Sequence, residues 1–294
     1  MSPHSRETLG LVLGLIGVVI FGVTLPLTRI AVVSLDPWFV TFGRAALAGC
    51  VAIPVLLIMR KSFPSRHEAQ RLLLAAVFVI IGFPGFTGFA MQLVPASHGG
   101  VVLGILPLVV AIFGSLAARE RPSLGFWASA VIGAVLVIAF SLRDEKGGLG
   151  WGDLYLLGAA LSAASGYTIL AHATKSKPGW EVISWTVVLF LPVTIPLAYL
   201  TAPVDPFAVP QAHWLSFLYL GLMSQYVGFF FWNTGLAMGG QARVSQTQLL
   251  QTFVTLICAA LINHESVDLL TWIFAVAIVA VVLIGRRARI AKPL

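Results

Sequence analysis

The sequence predicts an all-α polytopic membrane protein with ten transmembrane helices, arranged as two inverted repeats of five helices. Three observations support this prediction. The composition is 59% hydrophobic and only 10% charged, whereas ordinary soluble domains carry about 25% charged residues. Apolar runs of about 20 residues, the length that crosses a hydrocarbon core of roughly 30 Å, recur along the whole chain. The two halves of the chain also resemble each other.

Prolines and polar clusters separate the apolar runs, which we number as segments 1 to 10. Segments 1 to 5 are residues 9–33, 37–59, 71–94, 98–117 and 124–141. Segments 6 to 10 are residues 152–173, 180–200, 213–237, 243–262 and 269–286. Segment 1 is too long for the apolar core of a cleavable signal peptide, and no small-residue cleavage site follows it. The short connections between segments leave no room for a soluble domain.

The basic residues predict how the chain is oriented. An even number of segments puts both termini on one side, and that side would carry fourteen of the 18 Lys and Arg residues. The fourteen are Arg6, Arg60, Lys61, Arg66, Arg71, Arg119, Arg121, Lys175, Lys177, Arg243, Arg286, Arg287, Arg289 and Lys292. Only Arg143 and Lys146 fall on the other side. Because Lys and Arg are in excess in cytoplasmic loops, both termini are predicted to be cytoplasmic. This split explains the net charge of +7 without a nucleic-acid partner.

Short matches between the halves indicate the internal repeat. The stretch FGVT at 21–24 matches SGYT at 165–168 at an offset of 144 residues, and Glu120 matches Glu265 at an offset of 145. Five segments per half is an odd number, so the halves are predicted to have opposite orientations in the membrane. Inverted repeats are typical of secondary transporters that bind their substrate near the midplane. Chance similarity among apolar helices is the alternative. The predicted repeats are residues 1–146 and 147–294.

Two stretches carry a resemblance to a known family. They are 117-AARERPSLGFWASAVIGAVLVI-138 and 260-ALINHESVDLLTWIFAVAIVAVVLI-284, in each of which a helix ends in Glu and another segment follows. On the basis of these stretches, the whole chain resembles the drug/metabolite transporter superfamily. Within that superfamily it resembles the EamA-type exporters. The nearest likeness is to the YddG-type aromatic amino acid exporters. The resemblance implies a ten-helix carrier of the bacterial inner membrane, in a family whose members often export amino acids and related metabolites.

Segment 9 departs from the family pattern. Family members often carry Pro in helices 4 and 9; segment 4 keeps it in 105-ILPLV-109, but segment 9 has 250-LQTFV-254. Segment 9 instead begins with 245-SQTQLLQT-252, whose counterpart in segment 4 is apolar. The two halves therefore differ in chemistry at the same place. A substrate has no two-fold symmetry, so this difference points to a contact with the substrate.

The three glutamines of that stretch are Gln246, Gln248 and Gln251. An amide that faces lipid without a partner costs several kcal/mol, so these side chains are expected to face the interior of the bundle. Amides both donate and accept hydrogen bonds, and can meet the carboxylate and the ammonium group of an amino acid. The alternative is hydrogen bonding between helices, worth about 0.6 kcal/mol per contact.

Further candidates for substrate contact come from other segments. Segment 8 contains 224-SQYVGFFFWNTG-235, where aromatic and polar side chains would suit a large apolar substrate; packing is the alternative for the aromatic residues. Arg44 lies about 10 Å into segment 2, and either extends to the interface or pairs with a substrate carboxylate. His98 opens segment 4, where a lone histidine is more often solvated. The complete set comprises Gln225, Trp232, Asn233, Thr24, Arg44, His98, Tyr167 and Thr168 together with the three glutamines.

Three prolines inside the segments are predicted hinges, because proline bends or breaks a helix. They are Pro26 in segment 1, Pro84 in segment 3 and Pro107 in segment 4. Segment 3 is also rich in glycine, for which close helix packing is the alternative role. The cavity is expected to be lined mainly by segments 1, 3, 4, 6, 8 and 9.

The acidic residues bear on energy coupling. All eleven Asp and Glu residues lie in loops or at segment ends, whereas proton and sodium carriers usually need a carboxylate inside the membrane. Facilitated transport or exchange is therefore predicted, and proton coupling through His98 or His172 is the alternative. No phosphate-binding loop, metal-ligand cluster or nucleophile elbow is present, so ATP-driven pumping, metal binding and enzyme activity are not expected.

The sequence thus predicts a monomeric carrier in the inner-membrane bilayer that needs no cofactor. Its predicted function is the export of amino acids with aromatic or other apolar side chains by alternating access. Drugs or other small metabolites are the alternative cargo. A channel is a further alternative, but it would be expected to show a charged ring or a filter loop.

Overall fold

A computed structural model gives the fold of the chain. It describes residues 3–117, 121–143, 150–173, 177–239, 244–287 and 290–291. Within these ranges every segment contains helix, and the prediction of an all-helical protein is confirmed. The strands of the described part are the two-residue pieces Arg121–Pro122 and Ile290–Ala291, which pair antiparallel.

The helices of the first half are often interrupted. They are Pro3–Gly22 and Thr24–Ala31 in segment 1, Pro37–Ile58 in segment 2, Arg66–Ala76 and Phe83–Leu93 in segment 3, Ala96–Val102 and Leu106–Ala117 in segment 4, and Leu124–Ser141 in segment 5. Side-chain caps set several starts. The carboxylate of Asp36 accepts a hydrogen bond from the Trp38 backbone, and Ser65 forms a capping box with Glu68, so backbone donors at these helix starts have partners.

The second half also contains interrupted helices. Its helices are Trp151–Ala173 in segment 6, Gly179–Leu189 and Leu191–Leu200 in segment 7, Gln211–Tyr219 and Gly228–Gly239 in segment 8, Leu250–Ile262 in segment 9, and Leu269–Arg287 in segment 10. A 3-10 turn, Pro206–Ala208, precedes segment 8.

The helices identify a multi-pass membrane protein. In the described part of the chain, seven helices are long and apolar enough to cross a membrane, and an eighth is added if the pair bent by 55° in segment 7 forms one span. Thr247–Ile262 and Leu269–Gly285 are apolar but shorter. Large apolar side chains such as Val131, Leu154 and Val276 are exposed on the outside of the bundle. Such a surface suits lipid rather than water.

Irregular helix turns occur at related places in the two halves. Segment 3 contains a π-helical piece, Val77–Gly82, and segment 8 contains another, Leu220–Val227. An offset of 144 residues carries 77–82 onto 221–226, inside the second piece. Segments 4 and 9 each contain a 3-10 piece, Leu103–Ile105 and Ser245–Leu249. In helices, irregular turns of this kind often mark functional sites.

The helices pack mainly across the boundary between the halves. Segment 1 runs along segment 8, segment 3 along segment 6, and segments 2, 4 and 5 pack against segments 7, 9 and 10. One buried apolar cluster includes Leu108 and Leu256, from segments 4 and 9, and a second includes Ile80 and Val187, from segments 3 and 7. Both halves thus contribute to each cluster.

Glycines bring segments 1 and 8 into backbone contact. A Cβ atom added at Gly10 would lie 2.3 Å from the backbone nitrogen of Gly239, and one added at Gly235 would lie 2.7 Å from that of Gly14. Close approach through small residues at a spacing of four is a common way for membrane helices to associate.

We expect Gly235→Ala to destabilise the protein by roughly 1–3 kcal/mol, because the new methyl group meets backbone atoms that cannot rotate away. Gly114→Ala is the matched control, since a Cβ atom there meets nothing within 4 Å. The measurement is thermal unfolding of the purified protein in detergent. Equal melting temperatures for the two variants would contradict the close contact.

Candidate functional site

A cavity of about 700 Å³ lies between the two halves of the chain. This volume is within the range of about 300–1,000 Å³ that is typical of small-molecule sites. Segments 1, 2, 3, 4, 6, 7, 8 and 9 line it. Segments 2 and 7 were not among the main lining segments predicted from the sequence, although Arg44 of segment 2 was a predicted contact. Segment 7 contributes its first helical turns, around Gly179, Val182 and Ile183.

The burial of the lining residues distinguishes two ends of the cavity, which we call the closed end and the mouth. Thr24, Gly100 and Thr255 line its closed end and are buried, whereas Gly179 and Leu236 line its mouth and are partly exposed. Glu181 lies in the first turn of segment 7, beside the mouth. We call this the Glu181 end of the bundle, and the opposite end, beyond the closed part of the cavity, the Glu265 end.

A helix break in segment 1 shapes the closed end. The helix stops at Gly22 and resumes at Thr24. Because proline lacks an N–H group, Pro26 cannot donate to the carbonyl of Gly22, four residues earlier. The hydroxyl of Thr255 donates to this carbonyl instead, at 2.9 Å. The break therefore gives segment 1 a hydrogen bond to segment 9 and places Thr24 in the cavity wall.

The other two predicted hinge prolines also follow irregular turns. Pro84 lies two residues after the end of the π-helical piece of segment 3, and Pro107 lies two residues after the end of the 3-10 piece of segment 4. Pro107 lines the cavity, whereas Pro26 and Pro84 shape the helices behind it. All three thus lie where the helix geometry changes, and whether they act as hinges stays a prediction.

Two of the three glutamines of segment 9 line the cavity. Gln248, Gln251, Thr252 and Thr255 follow one another at spacings of three and four residues and contribute to the same wall. The side-chain amides of Gln248 and Gln251 make no hydrogen bond to another residue of the described part. The side chains of Ser245 and Gln246 lie outside the described residues, so the prediction for Gln246 stays a prediction.

Aromatic and amide side chains form the wall between the closed end and the mouth. Gln225, Tyr167, Trp232 and Asn233, all predicted from the sequence, line the cavity. Phe229 also lines it and packs edge-on against Phe21, with ring centroids 5.1 Å apart. The wall is therefore apolar with a few polar groups, as small-molecule sites commonly are.

One guanidinium group is buried in the cavity wall. Arg44 is only 3% exposed, and its Nη2 donates to the hydroxyl of Ser224 at 3.0 Å. That hydroxyl shares a second hydrogen bond, of 2.8 Å, with the hydroxyl of Thr24. The Nε atom of Arg44 is buried without a partner. Of the two roles that the sequence left open for Arg44, extension to the interface is ruled out by this burial.

Two predicted site residues are not among those that line the cavity. His98 is buried, its Nε2 lies 2.8 Å from Oδ1 of Asp153, and its ring contacts Phe140. The hydroxyl of Thr168 donates to the carbonyl of Ala164, one turn earlier, at 2.8 Å. Whether either residue contacts the substrate stays a prediction, whereas the expectation that His98 is solvated is wrong, because its side chain is buried. A segment-end histidine and a helix-internal threonine found protein partners instead.

The sequence analysis missed several residues of the cavity wall. Thr255 lies four residues after Gln251, so extending the glutamine face by one turn would have found it. Ser224 lies beside Gln225 and gave no comparable signal, because its role depends on Arg44 from a distant segment. Gly100 and Gly104 keep the wall close to segment 9: a Cβ atom at Gly100 would lie 2.8 Å from Thr255.

Ionic contacts close the Glu265 end. Arg29 pairs with Glu265 at 3.4 Å and also donates to the carbonyl of Val94. The Glu265 carboxylate accepts hydrogen bonds of 2.8 Å from the backbone N–H groups of Ala96 and Ser97, at the start of segment 4. A carboxylate at a helix N-terminus is favourable. The contact joins segments 1 and 4 to the end of segment 9, which lies in the other half.

Asp268 is a second anchor at the same end. The hydroxyl of Thr271, with help from its backbone N–H and from Arg143 at 2.9 Å, holds the pKa of Asp268 below its usual range. The carboxylate is therefore negative at neutral pH and links the end of segment 5 to the start of segment 10.

At the Glu181 end, lysines stand beside the mouth. Lys61 lies 2.8 Å from the Glu181 carboxylate, and Lys177 lies 3.5 Å from it. Lys177 also lies 3.8 Å from Glu68, at the start of segment 3. The Lys61–Glu181 and Lys177–Glu68 pairs join the two halves beside the mouth.

Comparison with known sequences gives a match along the whole chain. The sequence model of the EamA-like transporter family matches residues 8–142 and matches again at residues 150–285. The protein YdeK of Bacillus subtilis, described as an uncharacterized transporter, is 40% identical over 285 residues, which cover 97% of this chain and 98% of YdeK.

More distant relatives have more specific names. The aromatic amino acid exporter YddG of Ancylobacter novellus is 22% identical over 218 residues, covering 74% of this chain and 76% of YddG. A probable amino-acid metabolite efflux pump of Escherichia coli is 25% identical over 281 residues, covering 91% of each chain. A solved crystal structure with a TM-score of 0.63 and 18% identity covers 96% of this chain and 98% of its own chain. At that identity the likeness concerns the fold alone.

We expect Thr255→Val to destabilise the protein by about 1 kcal/mol, because the Gly22 carbonyl loses its donor. In a Pro26→Ala background the same change should cost less, since the alanine supplies the N–H group that proline lacks. Thermal unfolding of the two single variants and the double variant measures this coupling. Strictly additive effects would show that Thr255 does not serve the carbonyl freed by Pro26.

Proposed function

The chain belongs to the EamA-like transporter family, so it is a transporter and not an enzyme, and we propose that it exports amino acids with aromatic or other apolar side chains. The observation that carries this proposal is the cavity lining. Amides and hydroxyls from segments 8 and 9 stand beside aromatic side chains from segments 1, 6 and 8. Such a wall offers hydrogen bonds to the polar end of an amino acid and apolar contact to its side chain.

The names of two relatives support the same substrate class. One relative is called an aromatic amino acid exporter and another a probable amino-acid metabolite efflux pump. The wall carries Phe21, Tyr167, Phe229 and Trp232, which would suit an aromatic side chain, since aromatic pairs gain more than their buried area alone. Gln248 and Gln251 would contact the polar end of the substrate.

We propose ten membrane spans in two inverted repeats, residues 1–146 and 147–294. The packing pairs support this arrangement, because exchanging the halves turns the pair of segments 1 and 8 into the pair of segments 6 and 3 and leaves the other pairs unchanged. The related π-helical pieces of segments 3 and 8 are consistent with it. The match at Glu120 lies outside the described residues.

The proposed location is a bacterial inner membrane, with the chain acting as a monomer and both termini in the cytoplasm. The excess of Lys and Arg on one side supports this orientation. In it, the mouth at the Glu181 end faces the cytoplasm and the Glu265 end faces outward. The structure then corresponds to the state in which an exporter takes up its substrate from the cell.

Release of the substrate would require the Glu265 end to open. We propose that the Arg29–Glu265 pair separates when the halves rock against each other, with Pro26, Pro84 and Pro107 as bend points. No acidic residue lies in the middle of a segment, which favours movement down the substrate gradient over coupling to protons. His98 already has Asp153 as its partner, and the His172 side chain lies outside the described residues.

The proposal is tested by uptake of labelled phenylalanine, methionine and threonine into proteoliposomes preloaded with the same amino acid. We expect phenylalanine and methionine to exchange, and an imposed pH gradient to leave the rate unchanged. Exchange that requires the pH gradient would replace the facilitated mechanism with proton coupling. Absence of exchange for all three amino acids would reject amino acids as cargo and leave drugs and other metabolites.

Single replacement of Gln246, Gln248 or Gln251 by Ala should reduce phenylalanine exchange, by roughly 2- to 10-fold per hydrogen bond lost. Gln70→Ala is the matched control, because Gln70 is exposed at the start of segment 3. Initial exchange rates are compared at equal amounts of reconstituted protein. Wild-type rates in all three cavity variants would remove the glutamines from the substrate site.

A further inference from the structure

We propose that Arg44 binds the carboxylate of the transported molecule at the closed end of the cavity. The carrier would then select carboxylic acids with an apolar body, and the amino group of the substrate would be dispensable. This inference rests on the proposed function only in using the same cavity. The inference is that the protein recognises the carboxylate end of the substrate through its charge.

The first argument is the incomplete set of partners around Arg44. A guanidinium group has five N–H donors, and in the described structure one of them has a protein acceptor, the hydroxyl of Ser224. The Nε atom is buried without a partner. A buried charge normally has a partner of opposite charge, because an isolated one is costly. No described carboxylate pairs with Arg44, so a ligand in the cavity is the natural source of one.

The second argument is the charge of the cavity wall. Among the described residues that line the cavity, Arg44 is the one charged side chain. A carboxylate bound there compensates the charge of Arg44. An amine without a carboxylate would instead add a second positive charge to a buried site. The wall therefore discriminates between a molecule that is only an acid and one that is only an amine.

The third argument is the shape of the donor group. The planar guanidinium fork matches the two oxygens of a carboxylate, so that both can accept hydrogen bonds at once. The Ser224 hydroxyl, itself bonded to Thr24, holds one side of the fork. Ser224 is thus a positioning residue that holds one Nη2 hydrogen, while the other donors of the guanidinium have no acceptor in the described part of the protein.

The direction of the bound molecule follows from the positions along the cavity. Arg44, Ser224 and Thr24 are buried, whereas Trp232 is partly exposed. The carboxylate would lie at the closed end and the apolar body would extend along the aromatic wall toward the mouth. Gln225, beside Ser224 and also buried, could accept a hydrogen bond from an ammonium group when one is present.

The test uses three ligands that share one aromatic body: phenylalanine, 3-phenylpropionate with only the carboxylate, and 2-phenylethylamine with only the amine. Affinities are measured by calorimetry on the purified full-length protein. We expect the two acids to bind with similar affinity and the amine to bind at least about tenfold more weakly, since hydrogen bonds to charged groups are worth a tenfold factor or more. An amine that binds as well as the acids would overturn the proposal.

Variants assign the effect to Arg44. Arg44→Gln should weaken binding of both acids by at least about tenfold without weakening the amine, and Arg44→Lys should keep part of the preference because it keeps the charge but not the fork. Arg71→Gln is the matched control, since Arg71 is exposed at the start of segment 3. If Arg44→Gln lowered the affinity for the acids and for the amine equally, Arg44 would have a merely structural role and the carboxylate site would be rejected.

A second variant covers the case in which Arg44→Gln does not fold. Ser224→Ala keeps the charge of Arg44 but removes the hydrogen bond that holds its guanidinium group. We expect this variant to bind both acids a few-fold more weakly, which is about the value of one hydrogen bond, and to bind the amine as the wild type does. Unchanged acid binding in Ser224→Ala would then count against the proposal.

The outcomes separate this inference from the proposed function. Phenylalanine exchange without a preference for acids would reject the carboxylate site and keep amino acid export. Acid binding that depends on Arg44, without amino acid exchange, would keep the carboxylate site and reject amino acid export.

Discussion

The structure depends on one constraint: a backbone carbonyl or a charge inside a membrane protein must find its partner within the protein or its ligand. Pro26 frees the carbonyl of Gly22, and Thr255 from the other half supplies the donor. This bond fixes the closed end of the cavity. The same constraint explains why the helix interruptions, the amides of segment 9 and the buried guanidinium group all lie around one space between the halves.

Much of the fold followed from the sequence, because the apolar segments are long and the connections between them are short. The amides of Gln248 and Gln251 were recognisable as cavity residues, since lipid excludes such groups from the outer surface. In the same way, aromatic residues next to amides in segment 8 marked Trp232 and Asn233. These inferences needed only the cost of placing a polar group in hydrocarbon.

Other features depend on contacts between distant segments, which periodicity does not reveal. His98 has the same local pattern whether it faces water or Asp153, and the structure places it against Asp153. Ser224 matters through Arg44, 180 residues away. The participation of segment 7 in the cavity likewise depends on how the helices pack. The sequence showed which segments are helices and which residues are polar, but not which helices contact each other.

The buried position of Arg44 also relates the carrier to the electrical state of the membrane. Moving one charge through the full membrane field is worth about 2.3 kcal/mol per 100 mV. In the proposed orientation, a membrane that is negative on its cytoplasmic side would favour, for the empty carrier with its uncompensated cation, the form whose cavity opens to the cytoplasm. A bound acid without an amino group would cancel that pull, whereas a zwitterionic amino acid, which has no net charge, would leave it in place. For such an acid, the membrane voltage would act on the return of the empty protein and have little effect on the step that carries the substrate; for an amino acid, it would act on both steps.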